Sequence, residues 1–278
     1  MIKTGFLGPK GTFSQEAMIV YTKGNSEYSG VDYSTMTDLI TAVSKGEIDE
    51  AVVPIENSLE GAVSTTMDML ATEPDIKIKA EVIIPISQNL LIKKGTRIEN
   101  IKYILSHPQA VGQCRKYIDS NFPGAVIKYL YSTAEAAKEV AEGMADMAAV
   151  GSKAAAAVYD LEILRESIQD NNNNLTRFIV ISKKEAHKSI KNKTSIVFST
   201  ENKPGSLYRI LDIFSLWDIN MTRIESRPAK NKLGRYIFFV DIEGHVEDED
   251  VRDALTMVKR KTSFYKFLGS YPEFERQM

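Results

Sequence analysis

The chain has a single cysteine, Cys114, among 278 residues, which excludes a disulfide within it. Histidine is scarce too: with only His107, His187 and His245 and no cysteine cluster, a zinc site has little to draw on. No apolar run approaches the roughly 18 residues of a membrane span, and residues 1–6 hold too little apolar sequence for a signal peptide. A surplus of positive charge is also missing. The formal net charge of −2 argues against a nucleic-acid binder, which is usually clearly basic. The expectation is a cytoplasmic protein with neither a membrane nor a nucleic acid as partner. What is present is ordinary for a globular chain, with 43% hydrophobic and 26% charged residues in a length sufficient for two domains.

Residues 183–193 contain five lysines and almost nothing to bury, so they read as a solvated linker between residues 1–182 and 194–278. The first part alternates strands (2–7, 51–53, 126–130, with 81–92 extended) and helices (14–21, 39–44, 108–121). Ser14 is the expected cap of the first helix. Pro108 opens another where its missing N–H is harmless, and Ser132-Thr133-Ala134-Glu135 forms a capping box. Such alternation predicts an α/β class with parallel-type sheets covered on both faces. A weak repeat, 46–53 against 143–150, twice places a glycine before a short buried strand. Each glycine is expected as a left-handed helix cap, and the repeat points to two lobes with a cleft between them. The part after the linker reads βαββαβ: strand 194–200, helix 204–217, strands 219–228 and 234–243, helix 248–261, strand 264–271. That order is a ferredoxin-like sandwich. Its 13 Lys+Arg balance 13 Asp+Glu, which gives no basic surplus for RNA.

Five stretches carry groups suited to chemistry. Asn171-Asn172-Asn173-Asn174 leads into a strand at 176–182, whose alternation sends Thr176 and Phe178 to one face and Arg177 to the other. Gly8-Pro9-Lys10-Gly11-Thr12-Phe13-Ser14 joins a strand to a helix; its glycine N–H groups and the hydroxyls of Thr12 and Ser14 suit an anion. It lacks the Gly-Lys-Ser/Thr ending of a nucleotide loop. Pro54-Ile55-Glu56-Asn57-Ser58-Leu59-Glu60-Gly61 follows a buried strand at its carboxyl end, where α/β sheets bind ligands. Ser106-His107-Pro108-Gln109-Ala110 is a further strand-to-helix turn, with Gln113 facing the same way as Gln109 and His107 read as a structural hydrogen-bonder. Glu225-Ser226-Arg227-Pro228 ends a strand near Gly205-Ser206-Leu207 and Asn220-Met221-Thr222. Taken singly, each stretch reads equally well as a polar turn or an edge strand.

Together and in this order, these blocks resemble the prephenate dehydratase family, and Leu268-Gly269-Ser270-Tyr271-Pro272 closes the match across essentially the whole chain. The resemblance implies a bilobal catalytic domain, similar in shape to type 2 periplasmic-binding proteins, and a C-terminal ACT domain that binds phenylalanine. No mutase-like helical segment precedes residue 1, so a monofunctional enzyme is expected. The implied reaction is the decarboxylating dehydration of prephenate to phenylpyruvate, without metal or organic cofactor. Thr176 is implied as donor to the leaving hydroxyl, with Asn57, Gln113 and Glu56 completing the catalytic set. Thr12, Ser14, Ser58, Ser106 and Phe178 are implied around the substrate, while Arg177 is expected to lock the lobes or to meet Glu56 instead. Gly205, Leu207, Asn220, Thr222, Glu225 and Ser226 are implied in a phenylalanine site between ACT domains of a homodimer or homotetramer. Two positions depart from the family pattern. Gln88 stands where many relatives have histidine, and an amide cannot hold a proton at neutral pH; Ser206 stands where alanine is usual. Two rival readings are an arogenate dehydratase and a non-catalytic aromatic amino-acid sensor.

Overall fold

A computed structural model describes residues 1–229 and 236–274. The chain opens with β1 (Ile2–Leu7), α1 (Phe13–Thr22), β2 (Tyr28–Tyr33), α2 (Met36–Lys45), β3 (Glu50–Asn57), β4 (Gly61–Ala62) and α3 (Ser64–Thr72). It continues through β5 (Lys77–Pro85), β6 (Asn89–Ile92), β7 (Tyr103–Ser106), α4 (Pro108–Gln113), α5 (Arg115–Asn121) and β8 (Val126–Tyr129). Next come α6 (Thr133–Glu142), β9 (Met147–Gly151), α7 (Lys153–Val158), β10 (Glu162–Arg165) and β11 (Leu175–Ser182). The last stretch is β12 (Asn192–Ser199), α8 (Ser206–Leu216), β13 (Met221–Pro228), β14 (Tyr236–Glu243), α9 (Glu249–Lys261) and β15 (Phe264–Pro272). Among the described residues three sheets form, with orders β2-β1-β3-β11-β5 (β4 beside β3), β10-β6-β9-β7-β8 and β13-β14-β12-β15. Among the described residues, no helix is long and apolar enough to cross a membrane.

Two compact units interleave along the sequence. One gathers residues 1–39, 52–61 and 83–178; the other gathers 40–51, 62–82 and 179–278. In the first unit, the inner strands β6 and β9 of the five-stranded sheet are buried on both faces and read as nearly continuous apolar runs, whereas the edge strands β8 and β10 are partly exposed. Leu90 and Ile92 of β6 pack with Val111 and Ile118 on one side. Leu91, between them, packs with Ala136 and Val140 on the other. In the second unit, α8 and α9 cover one face of the four-stranded sheet, burying Ile210, Phe214, Val251 and Leu255 against Ile196 and Val240. Acidic residues open α9 and basic residues close it, in accord with the helix dipole.

The opposite face of that sheet grips α3 and β5. Arg227 holds Asp68 at 3.0 Å and donates to Ser64 Oγ at 2.7 Å. Lys266 donates to the carbonyls of Leu70 and Glu73 at the end of α3. Burial, with Lys77 adding to the shift, pushes its ammonium down to about 8. Lys193 reaches the fully buried Glu81 at 2.8 Å. That ion pair explains why β12 begins at Asn192, two residues inside the expected linker.

Several local expectations are corrected. Thr12, not Ser14, caps α1, its Oγ1 accepting from Gln15 N. The strand expected at 51–53 runs on through Asn57, because proline at position 54 tolerates an extended backbone. The expected helix 108–121 breaks at Cys114 into α4 and α5. The cause is a neighbouring loop: Asp170 N takes the Gln113 carbonyl at 2.7 Å, and Asp170 Oδ2 accepts from Lys116 N. Gly46 is left-handed as expected, but Gly143 ends α6 in an extended conformation. In the capping box, Glu135 takes the N–H of Tyr131 in place of that of Ser132. The sheets are mixed: β7 runs parallel to β8 and β9, whereas β6 is antiparallel to β9 and β10. Tyr236 is the first described residue of β14; the expected start at Gly234 lies outside the described residues.

Gly269 makes a closer approach than any side chain allows. At φ +137°, an added Cβ would lie 2.4 Å from the carbonyl oxygen of Ile78. Gly269→Ala is expected to lower the unfolding free energy by at least about 2 kcal/mol. Urea denaturation measures this, and an unchanged midpoint contradicts it.

Candidate active site

A cavity of about 270 Å3 opens in the first unit, where the ends of β1 and β3, the start of β11 and the first turns of α1, α4 and α6 converge. Among the described residues, its lining includes Thr12, Ser14, Asn57, Gln113, Asn174 and Thr176, and no Asp, Glu, Lys or Arg. Two strands meet there in opposite senses. Ser58 N donates to Leu175 O at 2.9 Å, while Ser182 Oγ donates to Asp49 O at the other end of the pair.

The polarity of the site follows from a chain of amides. Asn57 Oδ1 accepts from the backbone N–H groups of Leu59 at 2.9 Å and Glu60 at 3.0 Å. Its amide therefore cannot turn over, and Nδ2 must face the cavity side. Nδ2 donates to Thr176 Oγ1 and to Asn174 Oδ1, each at 2.8 Å. With its oxygen already accepting, Thr176 keeps its own O–H for donation outward. Asn174 Nδ2 passes the pattern on to Gln113 Oε1 at 3.3 Å, leaving the Gln113 NH2 group as donor. A row of neutral groups, buried at Asn174 and Thr176 and partly buried at Asn57 and Gln113, thus ends in hydrogen-bond donors.

The helix starts add further donors. Thr12 Oγ1 accepts from Gln15 N, and Ser132 Oγ accepts from Glu135 N at 3.0 Å. The first N–H groups of α1 and α6 have no intrahelical acceptor and carry the positive end of the dipole. By contrast, the glycines of the 8–14 loop do not present their N–H groups. Gly8 N donates to Tyr33 O and Gly11 N to Gln15 Oε1. His107 caps α4 through Nδ1, which accepts from Gln109 N at 3.3 Å, and also lines the cavity.

Of the substrate and catalytic residues expected from sequence, Thr12, Ser14, Asn57, Gln113 and Thr176 line this cavity and four do not. Glu56 lies half exposed at 3.9 Å from Arg177. Ser58 is exposed; its Oγ donates to Asn173 O and accepts from Leu175 N. Ser106 is buried and donates to Val150 O at 2.7 Å. Phe178 is 2% exposed and packs in the core. The asparagine run now resolves. Asn171 Oδ1 accepts from Asn173 N, Asn172 Oδ1 accepts from Gln169 Nε2, and Asn174 is the buried bridge between Asn57 and Gln113. Nothing in the run itself distinguished Asn174 beyond its place immediately before the strand.

In the second unit, Gly205 caps α8 in the left-handed region and Leu207 packs against the core beneath that helix. Asn220 Nδ2 donates to Glu243 at 2.8 Å, and Thr222 Oγ1 to Asp241 O at 3.3 Å. Along the edge strand β13 exposure alternates: Arg223, Glu225 and Arg227 are half-buried, whereas Thr222, Ile224 and Ser226 are exposed. Glu225 and Ser226 therefore lie on opposite faces.

A cavity of oriented neutral donors, joined in one chain to a βαββαβ sandwich, defines a class: an α/β enzyme for a small organic acid with an appended amino-acid-binding type of domain. Residues 4–186 match the family model described as prephenate dehydratase, and residues 194–256 match the ACT domain. A prephenate dehydratase of Methanocaldococcus jannaschii is 45% identical over 276 residues, covering 96% of this chain and 97% of that protein. A bifunctional chorismate mutase/prephenate dehydratase of Aquifex aeolicus is 43% identical, covering 98% of this chain and 74% of that protein. The crystal structure of prephenate dehydratase in complex with L-Phe from Arthrobacter aurescens superposes with a TM-score of 0.90 at 36% identity, covering 98% of this chain and 90% of that one. The chain belongs to the prephenate dehydratase family.

Cys114, at the break between α4 and α5, is fully buried. Burial, with the nearby Asp170 carboxylate, pushes its thiol up to about 12. An unfolded thiol loses its proton near pH 8.5, so any stability from this group is complete below that pH and is lost as pH rises toward the folded value. The native protein is expected to resist iodoacetamide at pH 9 and to react once unfolded in urea; mass spectrometry reads the adduct, and prompt alkylation of the native protein contradicts it.

Proposed function

We propose that the chain converts prephenate to phenylpyruvate, carbon dioxide and water, with residues 1–182 as catalytic domain, 183–191 as linker and 192–278 as regulatory domain. The observation that carries the mechanism is the Thr176 hydroxyl, whose oxygen accepts from Asn57 and whose proton is free to be donated. In the reaction the bond from the ring to its carboxylate breaks, and its electron pair enters the ring as the opposite C–O bond breaks. The departing hydroxide takes up a proton supplied by solvent and leaves as water. Thr176 donates to that oxygen as charge develops on it, so the contact strengthens in the transition state. Asn57 uses both amide hydrogens within the protein and acts through Thr176 instead of touching substrate. Ser14, Gln113 and the first N–H groups of α1 and α6 hold the side-chain carboxylate and keto group.

The absence of Lys and Arg from the lining has a consequence for decarboxylation. A ring carboxylate that gains no cation on leaving water keeps its charge available to the ring. The absence of Asp and Glu bears on arogenate, whose ammonium would enter the cavity without a carboxylate to pair with. Prephenate is therefore the favoured substrate.

Phenylalanine is the proposed effector, bound beside Gly205, Leu207, Asn220, Thr222, Glu225 and Ser226. The edge strands β13 and β15 of the ACT sheet suit pairing into a homodimer or homotetramer. The effector strand β13 is also the strand whose Arg227 holds α3, and α3 begins four positions after Glu60, whose N–H helps orient Asn57.

Two outcomes are expected. Thr176→Ala lowers kcat by about 100- to 1000-fold with prephenate, while Thr176→Ser keeps most of the activity; a fully active alanine variant removes the assigned role. Arg227→Met leaves phenylalanine binding intact by calorimetry but weakens its coupling to activity by about 1–2 kcal/mol. Unchanged inhibition in that variant rules out the β13–α3 route.

A further inference from the structure

Gln88 is 3% exposed and lines the same cavity as Thr176. Its backbone is locked on both sides: Gln88 N donates to Gln169 Oε1 at 2.9 Å, and Gln88 O accepts from Ile168 N at 2.8 Å. The next residue is fixed as well, since Asn89 Nδ2 donates to Gly151 O and Asn89 Oδ1 accepts from Ser167 N. Yet Gln88 Oε1 is buried with no hydrogen-bond partner. A buried unpaired acceptor on a rigid strand start is unfavourable in the free protein and calls for an explanation. Its surroundings supply one. The cavity offers donors in Thr176 and Gln113, which serve the acceptors of a dianionic keto acid. Prephenate carries one hydrogen-bond donor, the ring hydroxyl, and the Gln88 amide, which lines the cavity and accepts nothing at Oε1 within the protein, has an acceptor to offer it.

We propose that Gln88 is a substrate-binding residue whose amide oxygen accepts the hydrogen of the ring hydroxyl that is eliminated, turning a lone pair of that hydroxyl toward Thr176. The contact selects for the substrate over the product, because phenylpyruvate has lost this hydroxyl. It also fits an amide at this position, since an uncharged acceptor adds no negative charge beside an oxygen that is itself becoming negative. The inference rests on the prephenate dehydratase reading.

The test compares the full-length protein with Gln88→Leu, a variant of similar size without the acceptor. With prephenate, kcat/KM is expected to fall about 10- to 100-fold. Product inhibition by phenylpyruvate is expected to stay unchanged, and the thermal midpoint to hold or rise, because an unpaired buried polar atom has been removed. A merely structural role for Gln88 predicts the reverse: a lower midpoint, with prephenate and phenylpyruvate weakened alike. Either that pattern or an unchanged kcat/KM overturns the proposal. Gln88→Met, which keeps the length and flexibility of the side chain, must reproduce the loss; a fully active Gln88→Met overturns it as well. If the unmodified protein makes no phenylpyruvate from prephenate, the functional reading fails first and this inference with it. Failure confined to the variants leaves the functional reading standing.

Discussion

The chemistry of the cavity depends on two backbone N–H groups, those of Leu59 and Glu60, that hold one carbonyl oxygen. An asparagine amide looks nearly the same either way round, so a site built on asparagine needs something to choose its orientation. Turning Asn57 over would set its NH2 group against two N–H donors, giving up two hydrogen bonds at about 0.5–1.5 kcal/mol each. The reversed form is thus a small minority. Every later bond inherits the choice. Thr176 can donate because Asn57 donates to it, and Gln113 can donate because Asn174 has taken its oxygen. A turn of two residues outside the cavity thereby decides the direction of hydrogen bonding inside it.

This arrangement uses dipoles where many organic-acid sites use cations. A lysine or arginine would bind a dianion more tightly, but it would also stabilise the carboxylate that must be lost. In the proposed reaction, oriented neutral donors favour the leaving oxygen, where charge appears, without holding the ring carboxylate back. The helix starts of α1 and α6 contribute in the same way, as partial charges fixed by the backbone.

Much of this was legible from the sequence. The order of strands and helices, the ACT topology and five of the cavity residues followed from turn chemistry and the family resemblance. The misses have local causes. Ser58 and Ser106 carry hydroxyls as suitable as that of Ser14, but their backbone neighbours engage them, and only the fold shows which carbonyl lies within reach. Phe178 shares a strand face with Thr176, yet that face passes from cavity to core within two residues. Asn174 could not be told from three identical neighbours, because burial separates it from them, not chemistry. The break at Cys114 was invisible because its cause is a hydrogen bond from Asp170, 56 positions further on.

The interleaving of the two units bears on how the protein is made. Residues 62–82, with α3 and the start of β5, belong to a unit whose remaining strands are the last to be synthesised. At ribosomal speeds of about 5–20 residues per second, roughly 10–40 seconds separate the end of that segment from β15. Throughout that interval the Asp68 carboxylate, the end of α3 and the Glu81 side chain exist without Arg227, Lys266 and Lys193. The nascent chain therefore cannot complete the packing of α3 and the start of β5 until the strands up to β15 have left the ribosome.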